Sequence, residues 1–288
     1  MHFDAGTISF PGLGIEGINP PRTLPFSIFG KEIYFYGLII ALGFLLAILY
    51  AKKRVKQFGT NFDLVTDAIL FAVPLAIICA RIYYVIFQWD NYKDNPISAL
   101  YIWQGGIAIY GGVIGAILGL LLFAKVKKQK LTPYLDIMAL GLLIGQLIGR
   151  WGNFFNREAF GGYTNNLLAM QLPVSAVRQN EITEEMWQHA VTINGVQYIQ
   201  VHPTFLYEGL WNCGVLVILI LMRKKTKSPG ELFMLYIALY GLGRFWIESL
   251  RTDQLLIPGT AIPVSMVVSA VGVIGSVIFI IYGRKKVK

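Results

Sequence analysis

Seven long apolar runs, every second one closed by a knot of basic residues, constrain this chain more than any other feature. The runs lie at roughly 33–51, 66–88, 105–124, 134–150, 203–222, 231–250 and 260–282. A helix needs about 20 apolar residues to cross the hydrocarbon of a bilayer. One large soluble core would not explain runs of that length, and a soluble domain is about a quarter charged. Here 14% of residues are charged and 55% are hydrophobic. The basic knots are Lys52/Lys53/Arg54/Lys56, Lys125/Lys127/Lys128/Lys130, Arg223/Lys224/Lys225/Lys227 and Arg284/Lys285/Lys286/Lys288. They hold 16 of the 25 lysines and arginines and follow runs one, three, five and seven. Cytoplasmic loops gather Lys and Arg, so the alternation places the N-terminus outside and the C-terminus in the cytoplasm. The net charge of +9 is then a topology signal, with some attraction to anionic membrane lipids. No nucleic-acid partner is expected, because the basic residues form four short loops rather than one stripe.

The expected fold is an all-α polytopic membrane protein with seven transmembrane helices, residues 1–288 forming a single integral-membrane domain. The one long connection, residues 151–202, reads as a small extracytoplasmic cap inserted between spans four and five. Within it Val191–Ile193 and Val196–Val201 flank Asn194-Gly195, a hairpin signal, so the cap is expected to contain some β structure. Met1–Gly14 has neither a basic start nor an apolar run, and no cleavable signal peptide is read there. Cys79 and Cys213 lie inside apolar runs, which supports neither a disulfide framework nor a metal site. Gly111, Gly115 and Gly119 in span three, and Gly141, Gly145 and Gly149 in span four, recur at the spacing that lets membrane helices approach closely.

The remaining polar residues gather toward the outer side. Arg81 falls in the outer third of span two, Arg150 at the outer end of span four, and Arg244 about two turns below the outer end of span six. Ionisable side chains within membrane spans are costly and point to function. Tyr240, Arg244, Glu248 and Arg251 share one helical face. Arg244–Glu248 alone could be a neutralised structural pair. Span five opens with His202-Pro203, and Glu208 lies about a turn and a half inside it. Tyr34 and Tyr36 begin span one, where an aromatic interface belt is the alternative reading. Together these residues describe a polar cavity open toward the outer leaflet, rich in arginine forks that suit phosphate.

Residues 149–161, Gly-Arg-Trp-Gly-Asn-Phe-Phe-Asn-Arg-Glu-Ala-Phe-Gly, closely resemble the signature G-R-x-G-N-F-x-N-x-E-x-x-G of the bacterial phosphatidylglycerol–prolipoprotein diacylglyceryl transferases. All the fixed positions match. Family-like blocks follow in order over the whole chain: Tyr36-Gly37, Gly105-Gly106 with Gly111-Gly112, His202–Glu208, and Tyr240–Phe245 with Glu248 and Arg251. The resemblance implies an enzyme of the bacterial inner membrane, its active site facing the outer leaflet. Its substrates would be phosphatidylglycerol and the lipobox cysteine of pre-lipoprotein signal peptides. The cysteine thiol attacks the glyceryl carbon bonded to the phosphate oxygen, a thioether forms and glycerol phosphate leaves. Neither a metal nor an organic cofactor is expected.

The resemblance supports Arg150, Asn153, Gly161, Tyr36 and Arg244 as important positions. Arg150 and Arg244 are expected to grip the phosphate, with Asn153 and Asn156 orienting the headgroup. Glu158, Tyr240 and Glu248 would order the arginines and the cavity. Arg81, His202, Glu208 and Arg251 complete the expected binding set. Many relatives carry histidine before the second Gly-Gly of span three, where this chain has Tyr110. An ordinary tyrosine, with a pKa of about 10, is a poor base at neutral pH. Either neighbouring arginines tune Tyr110, or another group takes the proton, or the position is not a base at all; the last two are favoured, with Tyr110 in a positioning role and Glu208, His202 or water as the other acceptors. The three histidines, His2, His189 and His202, form no Ser-His-Asp arrangement in the sequence. A lipid or small-molecule transporter is the main rival, although neither internal repeats nor broken helices are visible. A seven-span receptor lacks a lysine in the last span for a Schiff base, and a serine protease lacks a serine partner for His202.

Overall fold

The computed structural model describes residues 7–28 and 30–286. His2, Lys288 and the start of Met1–Gly14 lie outside the described residues. Seven long helices account for most of the chain: α1 (Phe35–Arg54), α2 (Phe62–Phe87), α3 (Ile109–Lys127), α4 (Thr132–Asn156), α6 (Thr204–Met222), α7 (Glu231–Glu248) and α8 (Val264–Lys286). A short helix, α5 (Glu184–Gln188), lies in the connection between α4 and α6. Six of the long helices are long and apolar enough to cross a membrane. The exception is α7, which has 18 residues and carries Glu231, Arg244 and Glu248.

The chain forms two compact units, one from the residues before Ala51 and after Met138, the other from Ala51–Met138. The second unit is dominated by α2 against α3. Its close contact is made by glycines: a Cβ on Gly111, Gly115 or Gly119 would strike the carbonyl oxygens of Cys79, Leu75 and Phe71 respectively. Those three residues are spaced by four along α2, so the backbones touch along one seam. Phe123, fully buried, packs edge-on against Tyr134 at 4.9 Å and anchors the apolar cluster beneath.

In the first unit the glycines of α4 face α1. Cβ atoms built on Gly141 and Gly149 would lie 3.6 Å from Ala47 and 3.2 Å from Ile40, and one on Gly43 would lie 3.4 Å from Gly145. At the start of α7, fully buried Glu231 accepts from the backbone of Lys227 and Ser228 and from Arg284 of α8. One residue of the last basic knot is thus also an internal tie.

The cap is a five-stranded antiparallel sheet in the order β2-β1-β5-β7-β6. Its strands are β1 (Ile8–Phe10), β2 (Ile15–Ile18), β5 (Met170–Pro173), β6 (Val191–Ile193) and β7 (Val196–Val201). The β6–β7 hairpin turns at Asn194 and Gly195, with φ of 50° and 79°, the pair of left-handed residues that its sequence implies. The sheet is not made from residues 151–202 alone, because β1 and β2 come from the N-terminal segment, where no strands were read. A separate ribbon, β3 (Thr23–Ile28) with β4 (Lys31–Tyr34), leads into α1. The cap's core joins Ile8, Leu172, Met186 and Ile199 to Phe154 of α4 and Phe205 of α6. Sheet and helix ends therefore share one apolar core.

The glycine seam gives a direct comparison. Gly115→Ala should overpack the α2–α3 contact at a cost of about 1–3 kcal/mol. Gly112→Ala meets only Ala80 and Ala76, at 3.8 and 3.9 Å, and should be close to neutral. Thermal unfolding in detergent should show a drop of several degrees for the first and almost none for the second.

Candidate active site

The signature begins on a helix and ends on a corner. Span four was expected to stop at Arg150, but α4 runs on to Asn156, so Arg150, Asn153 and Asn156 all lie on its last two turns. The helix ends where Arg157 adopts a φ of 55°. Arg157 is buried and donates to the carbonyl of Phe155 and to Asn19 and Pro20 of the N-terminal segment. Burial, together with the neighbouring charge of Arg22, lowers its pKa to about 10. This arginine shapes the corner rather than facing a ligand.

The corner turns Glu158 back onto the helix. Its Oε1 accepts from the amides of Asn153 at 3.1 Å and Asn156 at 3.2 Å, and Arg150 donates to Asn153 Oδ1 at 3.4 Å. Its other oxygen faces the exposed Arg178 at 3.5 Å. Arg178 also pairs with Glu181, whose pKa burial raises against that partner's pull. Gly161 then crosses the start of α6, pairing with Arg251 and donating its N–H to the carbonyl of His202 at 3.0 Å. A Cβ there would lie 2.7 Å from the Leu250 carbonyl and 2.8 Å from the His202 Cβ, so this crossing requires glycine. Gly152 likewise receives the ring of Tyr36 from α1, whose edge lies 2.7 Å from a built Cβ.

Glu208 of α6 joins three helices. Its side chain is 2% exposed, and one oxygen pairs with Arg150 of α4 at 2.6 Å while the other pairs with Arg244 of α7 at 3.3 Å. The hydroxyl of Tyr240 stands 3.5 Å from the first oxygen. Arg244 also pairs with Glu248, four residues on along α7. Arg251 closes the series on Asp253 at 2.6 Å, with Glu248 4.0 Å away. Burial alone would lower the pKa of Arg251 and raise that of Asp253; their mutual hydrogen bond and charge reverse both shifts. One turn deeper, Gln146 of α4 donates to the Tyr236 hydroxyl of α7 at 3.0 Å.

His202 sits at the cap's edge with Nδ1 3.2 Å from the Tyr207 hydroxyl, and burial lowers its pKa. Its imidazole is therefore neutral at pH 7. Arg81 and Tyr110 belong to the other compact unit. The Arg81 guanidinium donates to the carbonyls of Ser98, Ala99, Gly105 and Gly106 and lies 5.1 Å from the Tyr92 ring. Those bonds brace the loop before α3 and make Arg81 a structural staple. Tyr110 is the half-buried second residue of α3.

Two guanidinium groups on separate helices thus converge on one carboxylate, with two amides and the Glu158 carboxylate that holds them nearby. Arginine forks so placed grip an anion with several oxygens. The model of the family described as prolipoprotein diacylglyceryl transferase matches residues 24–282. This chain belongs to that family. It is 45% identical over 260 residues to a phosphatidylglycerol–prolipoprotein diacylglyceryl transferase of Oceanobacillus iheyensis, covering 89% of this chain and 86% of that protein. Proteins of the same name from Clostridium novyi and Clostridioides difficile are 42% and 40% identical, each over 91% of this chain and 96% of the relative. The chain is accordingly a membrane transferase.

Within this transferase fold the sequence reasoning found most of the cluster but missed three participants. Asp253, Gln146 and Tyr236 were not singled out. The last two were accessible by helical spacing, each lying four residues before a residue that was: Gln146 before Arg150 and Tyr236 before Tyr240. Arg22 donates to the carbonyls of Asn156 and Ala176 and ties the N-terminal segment to the signature.

Because Glu158 holds both asparagine amides through one oxygen, Glu158→Gln should misorient them. Catalytic turnover should fall about 10–100-fold, the loss expected when a supporting hydrogen-bond partner is removed. The melting temperature should stay within a few degrees of wild type, since Glu158 is partly open to solvent.

Proposed function

We propose that this transferase moves the diacylglyceryl group of phosphatidylglycerol onto the lipobox cysteine of pre-lipoprotein signal peptides. The observation that carries the reading is the convergence of Arg150 and Arg244 on one buried anion position. The relatives named above carry this activity in their names, which favours the enzyme over a transporter. The proposed setting is the bacterial cytoplasmic membrane. All seven long helices span it there, the N-terminus lies outside, the C-terminus is cytoplasmic, and the active site faces the outer leaflet. The four basic knots support this orientation.

In the proposed reaction the substrate supplies the nucleophile. The cysteine thiol loses its proton, and its sulfur forms a bond to the glyceryl carbon attached to the phosphate. The carbon–oxygen bond breaks, and glycerol phosphate departs with the bonding pair. Arg150 and Arg244 stabilise the charge that grows on the leaving phosphate, the largest contribution a fixed site makes to such a step. Asn153 and Asn156, held by Glu158, orient the glycerol headgroup. Tyr36 packs against Gly152 and fixes the outer end of α4. Tyr240 and Glu248 order the arginines, and Gly161, His202 and Arg251 hold the cap to the helix ends. The proton acceptor is His202, kept neutral by burial, or Glu208 or water. Tyr110 has a positioning role.

The test is a mass-shift assay with purified protein, phosphatidylglycerol and a lipobox peptide. Wild type should add a diacylglyceryl group to the peptide thiol. Arg150→Ala should lose about 10²–10³-fold in rate, the scale of removing one transition-state donor. Tyr110→Phe should keep most of its rate. A folded wild type that shifts no peptide would send the assignment to lipid transport, measured as flux in liposomes.

A further inference from the structure

The position where the two arginines would hold a lipid phosphate is already filled by a side chain of the protein. Glu208 offers two oxygens, one to Arg150 and one to Arg244, as a phosphate diester would. A phosphate cannot simply be added beside it. Arg150 is paired with Glu208, and Arg244 with both Glu208 and Glu248, so the donors a phosphate would need are already engaged. Arg251 is engaged by Asp253 and is not available to balance another anion.

One turn deeper on the same helix lies Asn212, four residues beyond Glu208 and about 6 Å along the axis. Residues at that spacing are neighbours on one helical face. Asn212 is 0% exposed, and both atoms of its amide are buried and without a hydrogen-bond partner among the described residues. Buried amides are nearly always paired, and one with neither end satisfied calls for an explanation. Packing does not supply one, since an apolar residue would fill the same volume without the penalty of an unmet donor and acceptor.

We infer that Glu208 is an internal stand-in for the lipid phosphate, and that the Asn212 amide, with the Tyr240 hydroxyl, receives its carboxylate when phosphatidylglycerol takes the arginines. The inference rests on the proposed function and deepens it. In the substrate-free arrangement the arginines are satisfied and Asn212 is not. In the loaded arrangement the phosphate satisfies the arginines, and Asn212 Nδ2 and Tyr240 donate to the displaced carboxylate. The two states exchange one buried set of partners for another, so neither leaves an arginine bare in an apolar environment. Asn212 is here a positioning residue that acts through Glu208. Glu208 sets the affinity for the lipid by competing with it.

The two residues then have opposite effects on lipid binding, which a merely structural role would not produce. A short-chain phosphatidylglycerol is titrated into the purified protein in detergent. Glu208→Gln removes the competitor and should tighten binding ~10-fold, while Asn212→Leu removes the receiving donor and should weaken it ~10-fold, the scale of one charge-assisted hydrogen bond. In the Glu208→Gln background, Asn212→Leu should have almost no further effect, because no carboxylate is left to receive. Weaker binding by Glu208→Gln overturns the inference, as does an equal loss from Asn212→Leu in both backgrounds. Should Glu208→Gln not fold, Asn212→Leu and Asn212→Asp carry the test. Both should weaken binding, and the aspartate more, since it repels the displaced carboxylate; wild-type affinity in both overturns the inference. A wild type that neither binds the lipid nor modifies a lipobox peptide defeats the parent reading, whereas one that does both while the variants fail these expectations defeats only this one.

Discussion

Two guanidinium groups in an apolar setting need an anion, and Glu208 supplies it from a third helix. Removing one partner of such a buried arrangement leaves a bare charge, which costs about 3–5 kcal/mol. That penalty couples α4, α6 and α7 through Arg150, Glu208 and Arg244, whatever their apolar faces contribute. Membrane helices gain little from hydrophobic contact with one another, because lipid tails are equally apolar. Polar ties and close glycine contacts therefore carry more of the packing than in a soluble bundle. The Gly43–Gly145 approach and the Glu231–Arg284 pair are among the other ties of this kind in the same unit.

The cap matters to this cluster through its attachment points. Phe154 and Phe205 enter the cap's core from α4 and α6, and each stands within four residues of Arg150 or Glu208. The left-handed corner at Arg157 returns Glu158 to the asparagines, and Gly161 pins the chain to Arg251 and His202. A soluble-type apolar core thus fixes the outer ends of the helices that carry the charges. The arginines, by contrast, are fixed from below by the Gln146–Tyr236 layer.

Sequence alone carried the long helices and most of the charged cluster, for physical reasons. Apolar run length and basic knots are strong local signals. The Tyr240–Arg251 face follows from helical spacing. The pairing of Arg150 with Glu208 was not legible, because the two lie on different helices and nothing local records which faces meet. Strands β1 and β2 were missed for the same reason: segments of three and four residues pair only because β5 lies beside β1. Arg81 reads as a membrane charge aimed at substrate, yet four carbonyls of a nearby loop use its donors. An arginine that staples backbone and one that grips a ligand look alike in sequence, and only the positions of the acceptors separate them.

The chemistry asked of this site explains why it holds arginines and amides. In the proposed reaction the attacking sulfur belongs to the peptide and the leaving oxygen to the lipid, so the protein is left with binding, alignment and charge. Alignment comes from helix ends that cannot shift singly, since the cap's apolar core holds α4 and α6 together through Phe154 and Phe205. Charge comes from two largely buried guanidinium groups that are already held in place before the phosphate departs. The same arrangement bears on headgroup choice. In the proposed reaction a glycerol headgroup brings hydroxyls toward the Asn153 and Asn156 amides and the Glu158 carboxylate, which can donate to and accept from them. A neutral, hydroxyl-bearing headgroup on an anionic phosphate is the combination that these side chains complement.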